Sequence, residues 1–203
     1  NHLDYTMQSV ASVLNNLLKN IKTEIILLNH GSQDGTKEYL EKMKEVKVIN
    51  VAVNGAAPCV NLKAMSRGKY FLNISNDIVI GDNAIWNLYR CVNEHSDYGY
   101  VVPTTPAVSN LQTIEACYST PDELKAFTKK NNIYDERRHE QRVRLCNPLC
   151  IYPTDIIIQL LFEMYEDRCC VKSVMSFPDD KNSLWMRRNG YKCILAKDAY
   201  CHH

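Results

Sequence analysis

A chain of 203 residues, 45% of them hydrophobic, is long enough to bury a large core as a single domain. Its 24 basic and 23 acidic side chains leave a formal net charge of +1, which provides no global field to draw in nucleic acid or an anionic membrane. No apolar run approaches the roughly 20 residues that span a bilayer, and no charged-then-apolar leader opens the chain. These features predict a soluble, cytoplasmic protein, or the soluble part of a larger one, with peripheral membrane association left open. The nine cysteines are odd in number and scattered, unlike a disulfide framework, and reduced buried thiols fit better. Cys146 with Cys150, and Cys169 with Cys170, lack the two-residue ligand spacing of a zinc site.

Leu3, Met7, Val10, Leu14, Leu17 and Ile21 recur at three- and four-residue steps, the pattern of an amphipathic helix lying on a sheet. The run 24–29 follows as a strand, apolar without alternation as expected where both faces are covered. It leads into a polar loop, Asn29 to Thr36, that opens a helix over 35–44. Gly31 and Gly35 permit the turn, while Ser32, Asp34 and Thr36 supply side-chain acceptors and a helix cap. In open α/β sheets ligands bind beyond the carboxyl ends of strands, although a capped turn of this kind also occurs where no ligand binds. Strand 46–52, helix 58–66, strand 69–74, helix 82–94 and strand 98–102 continue the alternation, which implies right-handed crossovers and a mostly parallel sheet between two helical layers.

After Pro103 the alternation lapses. Residues 104–120 are rich in Thr, Ser and Pro, and Pro121 begins a helix with acids near its positive end. Between Arg137 and Arg144 four arginines cluster, either as a solvated helix face or as a contact for a diphosphate or anionic acceptor, where paired guanidinium donors suit paired oxygens. Asp179 and Asp180 precede a helix through Leu184, Trp185 and Arg188, which Gly190-Tyr191 closes before a strand over 191–196.

The Gly31 to Thr36 loop, Asn54-Gly55, Asn61, Gly68, the strand-ending Ser75-Asn76-Asp77, Phe177 to Asp180 with Gly190 ten residues on, and Lys197 to His203 follow one another in a fixed order. The series resembles the family 2 glycosyltransferases. That resemblance implies the A-type glycosyltransferase (nucleotide-diphospho-sugar transferase) fold over 1–203, with its first strand missing or upstream. Residues 1–102 would form the nucleotide-binding half and 103–203 the acceptor and catalytic half.

By the same resemblance the chain is expected to move a sugar from a nucleotide diphosphate, a UDP-sugar by preference, to a glycan or other hydroxyl acceptor by inverting displacement, in cell-surface polysaccharide synthesis. Asn29, Gly31, Ser32, Asp34, Asn54, Asn61, Ser75 and Asn76 would bind the nucleotide. Asp77, with His202 or His203, would hold Mn2+ or Mg2+, which takes only one or two carboxylates and completes its shell with phosphate and water. Asp179, with Asp180 as its rival, would take the acceptor's proton, and neighbouring carboxylates can push one pKa upward. Three positions depart from the family: Asn29 and Ser75 stand where it has aspartate, and Pro178 where it has glutamate. These departures favour the alternative of a catalytically silent nucleotide-sugar-binding or scaffolding domain. Without the resemblance, Asp77 reads as a turn residue and the Asp179-Asp180 pair as an acidic helix start.

Overall fold

A computed structural model describes residues 2–44, 46–52, 66–109, 111–164 and 178–203. Asn54, Asn61, Cys169, Cys170 and nearly all of the expected helix over 58–66 lie outside these residues. The elements run α1 (Leu3–Asn15), β1 (Ile26–His30), α2 (Thr36–Glu41), β2 (Lys47–Val51), β3 (Tyr70–Ile74), β4 (Val79–Ile80) and α3 (Ala84–Glu94). They continue with β5 (Tyr98–Thr104), α4 (Pro121–Asn131), a 3-10 turn (Glu136–Arg138), β6 (His139–Arg142), β7 (Leu149–Pro153), α5 (Thr154–Met164), α6 (Pro178–Arg188) and β8 (Lys192–His202).

The α/β class is as expected, but the strand directions are mixed. β1 and β2 pair in parallel, as do β5 and β8, whereas β3·β7, β5·β7, β4·β8 and β6·β8 are antiparallel. The reason lies after β5, where β6 and β7 follow one another without a crossover helix and β7 enters between β3 and β5. Helix α1 also stops earlier than its apolar periodicity. The Asn16 amide donates to the Ser12 carbonyl at 2.9 Å and to Ile80 O at 3.3 Å, tying the helix end to β4.

Alternate side chains of the central strands feed two cores, which accounts for the three layers. Val101, Leu149, Ile151, Ile194 and Ala196 face α1 and α3, joining Ile85, Leu88 and Val92. Tyr100, Val102, Cys150, Tyr152, Cys193 and Leu195 face α5 and α6, joining Ile157, Leu160 and Met186. In that second core the Tyr100 and Tyr152 rings stack at 4.9 Å. Residues of β1 and β3 line one cleft of about 1230 Å³, together with Val10 and Val13 of α1 and Leu17 just beyond that helix. Among the described residues no helix is long and apolar enough to cross a membrane.

Along β8 the alternation slips once: Ala196 pairs with Pro103 but Tyr200 with Thr104, a bulge over the residues between. The bulge moves the α1/α3 face from Ile194 and Ala196 to Ala199 and Cys201. A buried polar group holds it. Asp198 Oδ2 accepts the Asp135 N–H at 2.9 Å and meets His139 Nε2 at 3.2 Å, and the two side chains are 0% and 1% exposed. Removing the imidazole leaves the buried Asp198 carboxyl with the Asp135 N–H alone, so His139→Ala is expected to cost about 1–3 kcal/mol. Urea denaturation checks this as a lower midpoint at unchanged slope.

Candidate active site

The loop after β1 is closed by its own side chains. Asn29 is buried, donates from Nδ2 to Asn50 Oδ1 at 2.8 Å, and accepts the Ser32 N–H at 3.2 Å. Asn50 in turn donates to Glu41 Oε1 at 3.0 Å. Gly31 sits at φ 62°, and a Cβ there would lie 2.9 Å from the Ala52 carbonyl oxygen, so no other residue makes this turn without strain. Asp34 takes four donors: the backbone N–H groups of His2 and Leu3, and the N–H and hydroxyl of Thr36 at 3.3 and 2.6 Å. The Thr36 hydroxyl, and then the backbone N–H groups, hold its carboxyl well below the usual range. Asp34 therefore caps α1 and braces α2.

The turn after β3 is pinned to α1 and to the segment before β7. Ser75 donates its N–H to Pro148 O at 2.9 Å and accepts from Ile78 N at 3.2 Å, while the Asn76 amide donates to Thr6 Oγ1 at 3.2 Å. Asp77 is left with its side chain 47% exposed. The short strand β4 pairs with the end of β8, Val79 opposite His202 and Ile80 opposite Cys201. This pairing brings His203 Nε2 to 3.6 Å from Asp77 Oδ2. His203 Nδ1 lies 2.6 Å from the Ala107 carbonyl, which only accepts, so Nδ1 carries a proton and donates there, and Nε2 faces Asp77.

His202, one residue back along the strand, points elsewhere. Its Nδ1 is 2.6 Å from the Tyr118 hydroxyl, itself 2.6 Å from the Tyr200 hydroxyl. Burial, and then the neighbouring His203, push its pKa down. Of the two histidines, His203 is the one beside Asp77, because successive residues along a strand face opposite sides. No group of three or more His, Cys, Asp or Glu among the described residues could hold a metal ion. Asp77 and His203 still fit a divalent cation whose other ligands are phosphate oxygens and water. Cys146 and Cys150 are buried and form no disulfide.

Asp179 and Asp180 lie in the first turn of α6, where the helix dipole favours negative charge. Their environments separate them. Asp180 is paired with the Arg144 guanidinium. Asp179 keeps a buried Oδ1 with no hydrogen-bond partner. Burial raises its pKa above the ordinary value, while the Cys146 thiol, the Asn147 backbone and the Arg144 charge pull it down by less. The same segment, 144–148, reaches the metal side, since the residue after Asn147 accepts the Ser75 N–H.

The arginine run is no helix face: Arg137 and Arg138 lie in the 3-10 turn, Arg142 ends β6, and Arg144 follows that strand. Arg137 forks onto Asp135 at 2.8 and 2.9 Å, Arg138 donates to Asn131 O at 2.7 Å, and Arg142 pairs with Glu140 at 3.1 Å. Only Arg144 reaches the acid pair. The sequence raised Cys146 only as a zinc ligand and singled out neither Tyr118 nor Gln112, because no motif spacing marks residues that act through tertiary contact.

The Asp179 shift carries a sign. A carboxyl with a raised folded pKa binds more protons than the unfolded chain, so stability falls as pH rises from the unfolded value of about 3.9. Asp179→Asn is therefore expected to melt higher than the unsubstituted protein at pH 7. The difference should shrink as pH falls toward that value and vanish below it, and melting curves across pH 3–7 check it.

The glycosyl transferase family 2 model matches residues 1–146. No curated protein matches the chain in sequence. Among solved structures, GalNAc-T7 with UDP, GalNAc and Mn2+ superposes with a TM-score of 0.72 at 13% identity, over 98% of this chain and 40% of that one. S. aureus TarS 1–349 gives 0.64 at 15% identity, over 98% and 56%. The mannosyltransferase PcManGT from Pyrobaculum calidifontis, with GDP-Man and Mn2+, gives 0.62 at 14% identity, over 100% and 54%. The chain thus spans 40% to 56% of the length of these structures, which share its fold. With the family model covering most of its length, the chain belongs to glycosyl transferase family 2.

Proposed function

We propose that the protein transfers a sugar from a nucleotide diphosphate, a UDP-sugar by preference, to an acceptor hydroxyl by inverting displacement. The observation that carries this reading is the contact of Asp77 with His203, made by two distant segments at the end of the sheet. Family membership and the nucleotides and Mn2+ held by GalNAc-T7 and PcManGT support it. Asp77 and His203 would hold Mn2+ or Mg2+. Such a cation, when bound, supplies positive charge to the departing diphosphate.

The rest is done by side chains and backbone of the chain itself. Residues 1–102 bind the nucleotide, with Gly31, Ser32 and the Ser75-Asn76 turn as the described part of its wall and Asn54 and Asn61 as further contacts. Residues 103–203 receive the acceptor and carry the chemistry. The sugar's bond to the diphosphate breaks as its bond to the acceptor oxygen forms, and the hydroxyl proton passes to Asp179. A partly buried carboxylate without a full set of donors is a stronger base than an exposed one. Asp180, neutralised by Arg144, does not compete for that proton. The setting supported by the family resemblance is cell-surface polysaccharide synthesis on the cytoplasmic side of the membrane.

Asp179→Asn should keep donor binding and lower turnover by about a hundred- to ten-thousandfold, while Asp180→Asn costs much less. Near-normal transfer by both variants would remove the pair from catalysis. No transfer by the full parent protein, despite tight nucleotide-sugar binding and a broad acceptor screen, would favour a silent binding domain. UDP with Mn2+ should raise the melting temperature more than the sum of either alone, and Asp77→Asn should abolish that excess. Independent effects in the unsubstituted protein would sink the metal role of Asp77.

A further inference from the structure

The loop between β5 and α4 touches both the metal side and the acid pair's support. Its Ala107 carbonyl orients His203, and its Ser109 hydroxyl lies 2.8 Å from the Cys146 sulfur. Gln112 reaches the same residue twice: Oε1 accepts the Cys146 N–H at 2.6 Å, and Nε2 donates to the Cys146 carbonyl at 3.1 Å. Gln112 is 1% exposed, so both bonds are made away from water. A side-chain amide that pairs with the N–H and C=O of one residue acts as a rung of β-ladder, fixing that residue in position and orientation.

The turn that delivers Gln112 is strained. Leu111 sits at φ 55° with 80% of its surface exposed, a bulky residue in the left-handed region with little packing to compensate. Backbone bonds at 3.3 Å, from Thr105 N to Gln112 O and from Ile114 N to Thr105 O, hold the turn against the end of β5. On the other side of Cys146, its thiol and the Asn147 backbone meet Asp179, the Leu145 N–H donates to Ser183 Oγ at 3.1 Å, and Arg144 holds Asp180.

We infer that Gln112 is a positioning residue for Asp179, holding the Cys146–Asn147 peptide against that carboxyl group through its paired hydrogen bonds. The inference rests on the reading of Asp179 as the base. It predicts that Gln112 acts on the chemical step and leaves the nucleotide side untouched.

The test compares Gln112→Leu and Gln112→Glu in the full protein by steady-state kinetics and by mass-spectrometric labelling of thiols with iodoacetamide. Gln112→Leu should lower kcat about ten- to a hundredfold, the usual effect of a small misplacement at the reacting centre, with the donor KM within about twofold. Gln112→Glu keeps an oxygen for the Cys146 N–H and should fall between. Cys146 should label faster in both variants while Cys150 and Cys193 do not change. Unchanged kcat with unchanged Cys146 labelling overturns the inference, as does an equal rise in donor KM. If Gln112→Leu exposes every buried cysteine, the Glu variant decides by the same two readouts. If the unsubstituted protein transfers no sugar, the base reading fails and this role fails with it; faster Cys146 labelling would then report the clamp alone.

Discussion

The site depends on the register of β8, and that register is held by the buried contact of Asp198 with His139. β8 pairs with β5 on one side and with β4 and β6 by antiparallel ladders. With both faces in a core, a slip of one residue would exchange Cys193 and Leu195 with Ile194 and Ala196 and is strongly disfavoured. The bulge at Asp198 makes one such exchange deliberately, near the strand's end. Beyond it the odd-numbered residues Ala199 and Cys201 face α1 and α3, and His203 continues that face toward the Asp77 turn. Without the bulge His202 would stand there.

The carboxylates divide according to how their lone pairs are used. Asp34 has four donors and a depressed pKa, the signature of a group spent on holding α1 and α2 together. Asp180 is neutralised by Arg144. Asp179 is buried with an oxygen unpartnered, a condition that disfavours the ionised form. Such a group lowers folding stability at neutral pH, and an unsatisfied buried polar atom calls for an explanation other than stability. Proton transfer supplies one.

The layers were legible in the sequence because period and burial agree there. Apolar runs gave β1, β3 and β5, and Pro121 with the acids after it marked α4, where the structure adds a Thr120-Glu123 capping box. β6 and β7 were not legible: charged His139 to Arg142 has no strand pattern of its own, and its place is set by pairing with β8. The same holds at the site. Asp77 and Asp179 stand out by order and spacing, but which of His202 and His203 lies beside Asp77 turns on a bulge that no local signal announces. That Asp34 gathers four donors from two helix starts is likewise invisible until the fold brings His2 and Leu3 to it.

Two departures from the family pattern acquire folding reasons. An aspartate in place of Asn29 could accept the Ser32 N–H, but it could not donate to Asn50, and the amide chain from Asn29 through Asn50 to Glu41 needs that donor. Asn29 and Asn50 face each other in the β1·β2 register, so the amide links the loop to its neighbouring strand. Pro178 begins α6, where the missing N–H costs nothing and the fixed φ suits the first helical position. A change that the surrounding fold uses need not signal lost chemistry, so neither position favours a silent domain over a transferase. That choice falls to the groups whose surroundings the fold leaves incomplete, the half-exposed Asp77 beside His203 and the unpartnered oxygen of Asp179.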